Sequence, residues 1–73
     1  MASIEIKSDI TGNVWKVLKS PGDSVEADEP IVIMESMKME IPVTSPERGV
    51  IKEILVKEEQ TIAEGAVVVR VEV

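Results

Sequence analysis

Residues 50–60, VIKEILVKEEQ, admit two readings, and the choice between them decides the fold. Ile51, Ile54 and Leu55 fall on one face of an amphipathic helix. The same residues also suit a short strand running into a charged turn. The stretch 37 positions earlier, residues 13–23, NVWKVLKSPGD, breaks the tie. Its Pro21-Gly22 break and weak helix propensity argue against a helix there. Because the two stretches align without a gap, they are expected to share a structure, and both read as strands followed by turns.

The match extends along the chain. At the same offset of 37, Ile4 falls on Ile41, Ile6 on Val43, Ser8 on Ser45 and Gly12 on Gly49. Val14 falls on Ile51, Val17 on Ile54, Leu18 on Leu55 and Val25 on Ile62. Ile31, Val32, Met34 and Glu35 fall on Val68, Val69, Val71 and Glu72. Apolar positions dominate these matches, as two structurally equivalent halves require. Each half reads as four strands, near 3–7, 12–18, 24–26 and 30–36, then 39–44, 49–55, 61–63 and 67–73.

Turn chemistry separates the strands. In Ser20-Pro21-Gly22-Asp23, proline presets φ and glycine accepts positive φ. Residues 45–49, SPERG, form a second turn signal. Gly65 stands where the first half has Asp28, and both residue types tolerate the left-handed region, so one backbone demand is expected at both places. The expected fold is all-β: a flattened barrel or sandwich of two four-stranded antiparallel sheets with quasi-twofold symmetry.

Composition agrees. Seventy-three residues allow one domain, taken as 1–73, with a modest core. Val and Ile dominate a hydrophobic fraction of 44%, and β-branched side chains suit a pleated surface. Cysteine and histidine are absent, which leaves neither disulfides nor the usual zinc ligands. Without them, and without a glycine-rich phosphate loop, no catalytic constellation is visible, so a non-enzymatic role is expected. A net charge of −6 disfavours nucleic acid and anionic membrane surfaces. No apolar run reaches spanning length and the N-terminus lacks a signal-peptide pattern, so a cytoplasmic location is expected; the chain is also expected to be a monomer. Trp15, the only aromatic residue, aligns with Lys52 and reads as a partly exposed strand residue.

The junction of the halves is the odd place. The strand ending at Ser36 must turn directly into the one beginning near Met39, leaving Met37-Lys38 as the turn. Two-residue hairpins normally select Asn-Gly or a similar pair, because both central residues need positive φ. A turn built from poor turn formers is a reason to suspect a site. Two methionines beside an exposed tip are equally unusual, and methionine suits a surface that must adapt to a partner's groove.

Glu35-Ser36-Met37-Lys38-Met39 resembles the attachment motif of the biotinyl domains, usually Ala-Met-Lys-Met or Ser-Met-Lys-Met, in which the lysine lies midway between two half-motifs. The resemblance covers essentially the whole chain and is that of a freestanding biotin/lipoyl attachment domain. It implies a barrel-sandwich hybrid with a modified lysine, Lys38, at a hairpin tip. It also implies a carrier of covalent biotin serving a biotin-dependent carboxylase system. A biotin protein ligase would acylate the Lys38 amine from a biotinyl-adenylate. A biotin carboxylase and a carboxyltransferase would then load and unload the carboxyl group. Met37 and Met39, with Glu35, Ser36 and Glu40, are the expected ligase-recognition residues.

The alternative is a lipoyl carrier using the same lysine, loaded by a lipoyl-attaching enzyme and serving acyl or redox transfer. Lipoyl domains usually carry Asp-Lys-Ala or Val-Lys-Ala, so the Met-Lys-Met bracket favours biotin, although Ser36 in place of alanine leans slightly the other way. Glu59-Gln60 departs from the family-like Gly22-Asp23 turn, and Asp28 from the Gly65 position. The link between Leu18 and Val25 is too short for the protruding thumb of some biotin carboxyl carrier proteins.

Overall fold

The computed structural model describes residues 2–73, and its regular elements are all strands. In chain order they are β1 (Ser3–Lys7), β2 (Gly12–Val17), β3 (Ser24–Val25), β4 (Pro30–Ser36), β5 (Met39–Thr44), β6 (Gly49–Ile54), β7 (Thr61–Ile62) and β8 (Val67–Glu72). They form two antiparallel four-stranded sheets, ordered β1-β8-β6-β3 and β5-β4-β2-β7. Residues 50–60 are therefore strand and turn, as the alignment with 13–23 requires. Several strands stop one residue short of expectation. At two of these ends the ladder closes with single bonds beyond the strand, Leu18 N–H donating to Ile31 O and Leu55 N–H to Val68 O.

Exchanging β1 with β5, β2 with β6, β3 with β7 and β4 with β8 converts one sheet order into the other. Each sheet draws two strands from each half, so neither half can close its own core. The buried apolar residues obey the same exchange: Ile6 and Val43, Val14 and Ile51, Val25 and Ile62, Ile31 and Val68, Val32 and Val69, and Met34 and Val71. Val56 alone breaks the pattern, because its counterpart is Lys19. Fully burying side chains of this kind stabilises by about 1.5–3 kcal/mol each before chain entropy opposes it.

The buried polar pair is Ser8 and Ser45. Each hydroxyl donates to a carbonyl two residues on, Ile10 O at 2.6 Å and Glu47 O at 2.5 Å. Local satisfaction of this kind lets a serine enter the core without an orphaned group.

The turns are equivalent despite their different residues. Gly22 and Glu59 both have positive φ, 95° and 71°, as do Gly65 and Asp28, 88° and 66°. Gly22 N–H donates to Ile51 O and Glu59 N–H to Val14 O. Asp23 Oδ2 accepts from Ser20 N–H, and Gln60 Oε1 accepts from Lys57 N–H. The Glu59-Gln60 departure thus keeps the turn, at the cost of a non-glycine residue in the left-handed region.

Candidate functional site

Strands β4 and β5 pair from Pro30↔Thr44 up to Ser36↔Met39, so Met37 and Lys38 make a two-residue loop. Both have positive φ, 51° and 66°. That is the primed-turn geometry whose twist matches the flanking strands. Glycine or asparagine would adopt it at lower cost, so Met37 and Lys38 occupy the turn against its backbone preference.

Lys38 is exposed at the tip. Its ammonium enters none of the ion pairs or side-chain hydrogen bonds among the described residues. Met37 is 89% exposed and Met39 58%, where apolar side chains normally avoid water. Ser36 is half-buried, while Glu35 and Glu40 are exposed and face each other in register. All six residues singled out from sequence therefore converge on one hairpin. A primary amine exposed on a short, well-paired hairpin is accessible to acylation without disturbing the core.

Gly12 and Gly49 align in the repeat, and their shared role is visible only in the structure. A Cβ at Gly12 would lie 2.5 Å from Glu35 O and 3.2 Å from Ser36 Cβ, at the point where β4 feeds the lysine turn. Gly49 stands in the same relation to Glu72 O. Close backbone approach, not a turn, explains this glycine pair. Its sequence signal was the match itself. The base of the hairpin has a mirror in the other sheet: Val73 N–H donates to Ala2 O, and these residues align with Ser36 and Met39.

Two interlocked sheets of matched halves, with a lysine on the hairpin that joins them, define a class of small all-β attachment domains. The family model for biotin/lipoyl domains, described as "Biotin-requiring enzyme", matches residues 2–71. The chain belongs to this family, and it is a carrier domain of it. The "Biotin/lipoyl attachment protein" of Bacillus subtilis is 43% identical over 58 residues, covering 80% of each chain. A probable dihydrolipoyllysine-residue succinyltransferase component of the 2-oxoglutarate dehydrogenase complex from Schizosaccharomyces pombe is 49% identical, covering 70% of this chain and 11% of that protein. Among solved structures, Kluyveromyces lactis urea carboxylase matches with a TM-score of 0.93 and 30% identity, over 99% of this chain and 6% of that one. The chain thus spans four fifths of the attachment protein but only a small part of the other two relatives.

Proposed function

We propose that this chain carries biotin covalently on Lys38 and shuttles carboxyl groups between a biotin carboxylase and a carboxyltransferase, after loading by a biotin protein ligase. The observation that carries the reading is the tip: an unpaired, exposed Lys38 between two exposed methionines, on a turn whose backbone favours other residues. The likeness of the whole chain to part of a carboxylase supports it. Biotin, when attached, supplies a ureido nitrogen able to hold a carboxyl group, so the chemistry is the cofactor's and the partner enzymes'. The chain's own contribution is placement. Attachment forms an amide at Lys38 Nζ with overall loss of water, removes the ammonium charge, and leaves the arm anchored where both enzymes reach it at high effective concentration.

Lipoate on the same lysine is the second reading, favoured by the 49% identity to the succinyltransferase component. Intact-mass measurement of the protein from its native host separates the two. A biotinyl amide adds about 226 Da and a lipoyl amide about 188 Da. Lys38→Arg is expected to abolish the added mass while the fold persists, since a guanidinium is a poor nucleophile at neutral pH. Added mass on the variant, or on another lysine of the wild type, overturns the assignment.

Met37→Asp with Met39→Ala recreates a lipoyl-like bracket. It is expected to slow biotinylation roughly ten- to a hundred-fold and to favour lipoylation. Unchanged turnover on the folded double variant would remove the methionines as the biotin signal.

A further inference from the structure

The two sheets differ most on their outer faces. On β1-β8-β6, Arg70 lies between Glu5 and Glu53, its Nε 3.2 Å from one carboxylate and its Nη1 2.6 Å from the other. On the lysine-bearing sheet the aligned row is Pro42, Ile33 and Lys16. Beyond it, toward the hairpin, Glu35 sits directly opposite Glu40. Like charges placed so destabilise a sheet. The ion pairs of the described residues engage Glu5, Glu26, Glu29 and Glu53, but not Glu35, Glu40 or Glu59.

A groove of about 220 Å³ opens on this face, lined by Asn13, Val14, Trp15, Glu35 and Glu59. Trp15 stands on the irregularity between Val14 and Lys16, which frees it from strand pairing and leaves it 44% exposed. Its ring already attracts a cation, since Lys16 Nζ lies 5.7 Å from the centroid. The internal repeat supplies a control. The aligned positions are Val50, Ile51, Lys52, Glu72 and Gly22, which hold no aromatic ring, one carboxylate and a lysine. The core residues obey the symmetry; these do not.

We propose that the outer face of the lysine-bearing sheet docks a basic surface of the enzyme that acylates Lys38, and that the Trp15–Glu35–Glu59 groove receives a guanidinium from that enzyme. A planar guanidinium stacks on an indole and pairs with carboxylates at its edge, which a lysine ammonium does less well. Docking would supply the positive charge that Glu35 and Glu40 lack in the free protein. The groove borders the strand that leads into the turn, so an enzyme seated there has Lys38 beside it.

This inference rests on Lys38 being the biotin acceptor, and the experiment keeps the two apart. Initial rates of biotinylation by biotin protein ligase are measured on folded apoprotein across a range of salt, with mass spectrometry locating the product. Glu35→Gln with Glu40→Gln and Glu59→Gln is expected to lower kcat/KM by roughly tenfold or more at low salt and to flatten its salt dependence. Trp15→Val is expected to lower it with little change in salt dependence. A control triple, Asp9→Asn with Glu47→Gln and Glu64→Gln, carries the same change in net charge and is expected to stay within about twofold.

Equal losses in the two triples would mean that only net charge matters, and an unaffected first triple would mean that the face is not used; either overturns the proposal. The other candidate occupant is the acylated Lys38 arm itself. A shift in Trp15 fluorescence on biotinylation, with ligase removed, would assign the groove to the arm and overturn docking. Failure of ligase to modify wild-type Lys38 overturns the functional reading and this inference with it, whereas normal modification that ignores the face overturns this inference alone.

Discussion

The first and second halves of the chain agree inside and disagree outside. Twelve of the thirteen buried apolar residues fall into pairs 37 positions apart, as do the buried serines and the close-approach glycines. The outer faces share almost nothing: an ion-paired Glu5–Arg70–Glu53 row on one sheet, and Trp15, Ile33, Pro42 and unpaired acids on the other. Packing at near-crystalline density constrains the interior of both halves alike. Solvent imposes no such symmetry on the surface, so asymmetry there is where a site can be built. The lysine hairpin is the extreme case, since the aligned place in the other sheet is the backbone-bonded pair Ala2 and Val73, not a turn.

The strongest way to break the claim of equivalent interiors is at the glycines. Gly12→Ala and Gly49→Ala each drive a Cβ into a backbone carbonyl, at Glu35 and Glu72, and backbone moves less readily than side chain. Each is expected to destabilise by about 1–3 kcal/mol in urea unfolding. A large loss at one and none at the other would show that the halves are not mechanically equivalent. Gly12→Ala is also expected to slow the acylation proposed for Lys38, because it displaces the strand that feeds the turn.

A smaller effect of opposite sign sharpens the comparison at the turns. Glu59 holds φ 71° where its counterpart is Gly22. Glu59→Gly is expected to stabilise by about 1 kcal/mol, relief of left-handed strain outweighing the added chain entropy. A lower unfolding midpoint would mean that the Glu59 side chain contributes more to the fold than its backbone costs.

The smallest effect is electrostatic and belongs to one half only. Glu29 accepts from Glu26 N–H at 2.9 Å and pairs with Lys19 at 2.9 Å, which together hold its carboxyl below the ordinary carboxylate value of 4.5. A carboxyl lowered on folding adds stability above its unfolded value, and that stability fades as pH falls through the folded one. Its counterpart is Ala66. Thermal melts of wild type are expected to lose part of their stability below about pH 4.5, and Glu29→Gln to show a shallower decline there. Parallel curves for the two proteins would remove Glu29 from the acid response.

Most of the architecture was legible because a repeat reports on tertiary structure through sequence. Residues 50–60 alone fit helix or strand; aligned with the Pro21-Gly22 segment they fit only strand. The hairpin was legible for a different reason, namely that Met37-Lys38 defies turn preference between two strands of clear pattern. The match of Asp28 to Gly65 anticipated a shared positive φ, which both residues adopt. Glu59 was harder to place, because glutamate carries no turn preference; its N–H bond to Val14 O and the Lys57–Gln60 bonds of the same turn hold it in the geometry of Gly22.

Sequence by itself determined the strand order along the chain, the paired core and the lysine at the junction of the halves. Those follow from periodicity, turn chemistry and self-alignment, which are properties of neighbouring residues or of matched positions. Tertiary structure alone decided how the halves interlock, with two strands of each in either sheet. It also brought Glu59 to Asn13, Trp15 and Glu35 in one groove and set Arg70 between two acids from distant strands. No local pattern encodes such meetings. They arise when sheets must cover each other's apolar faces, and that requirement acts on the folded chain as a whole.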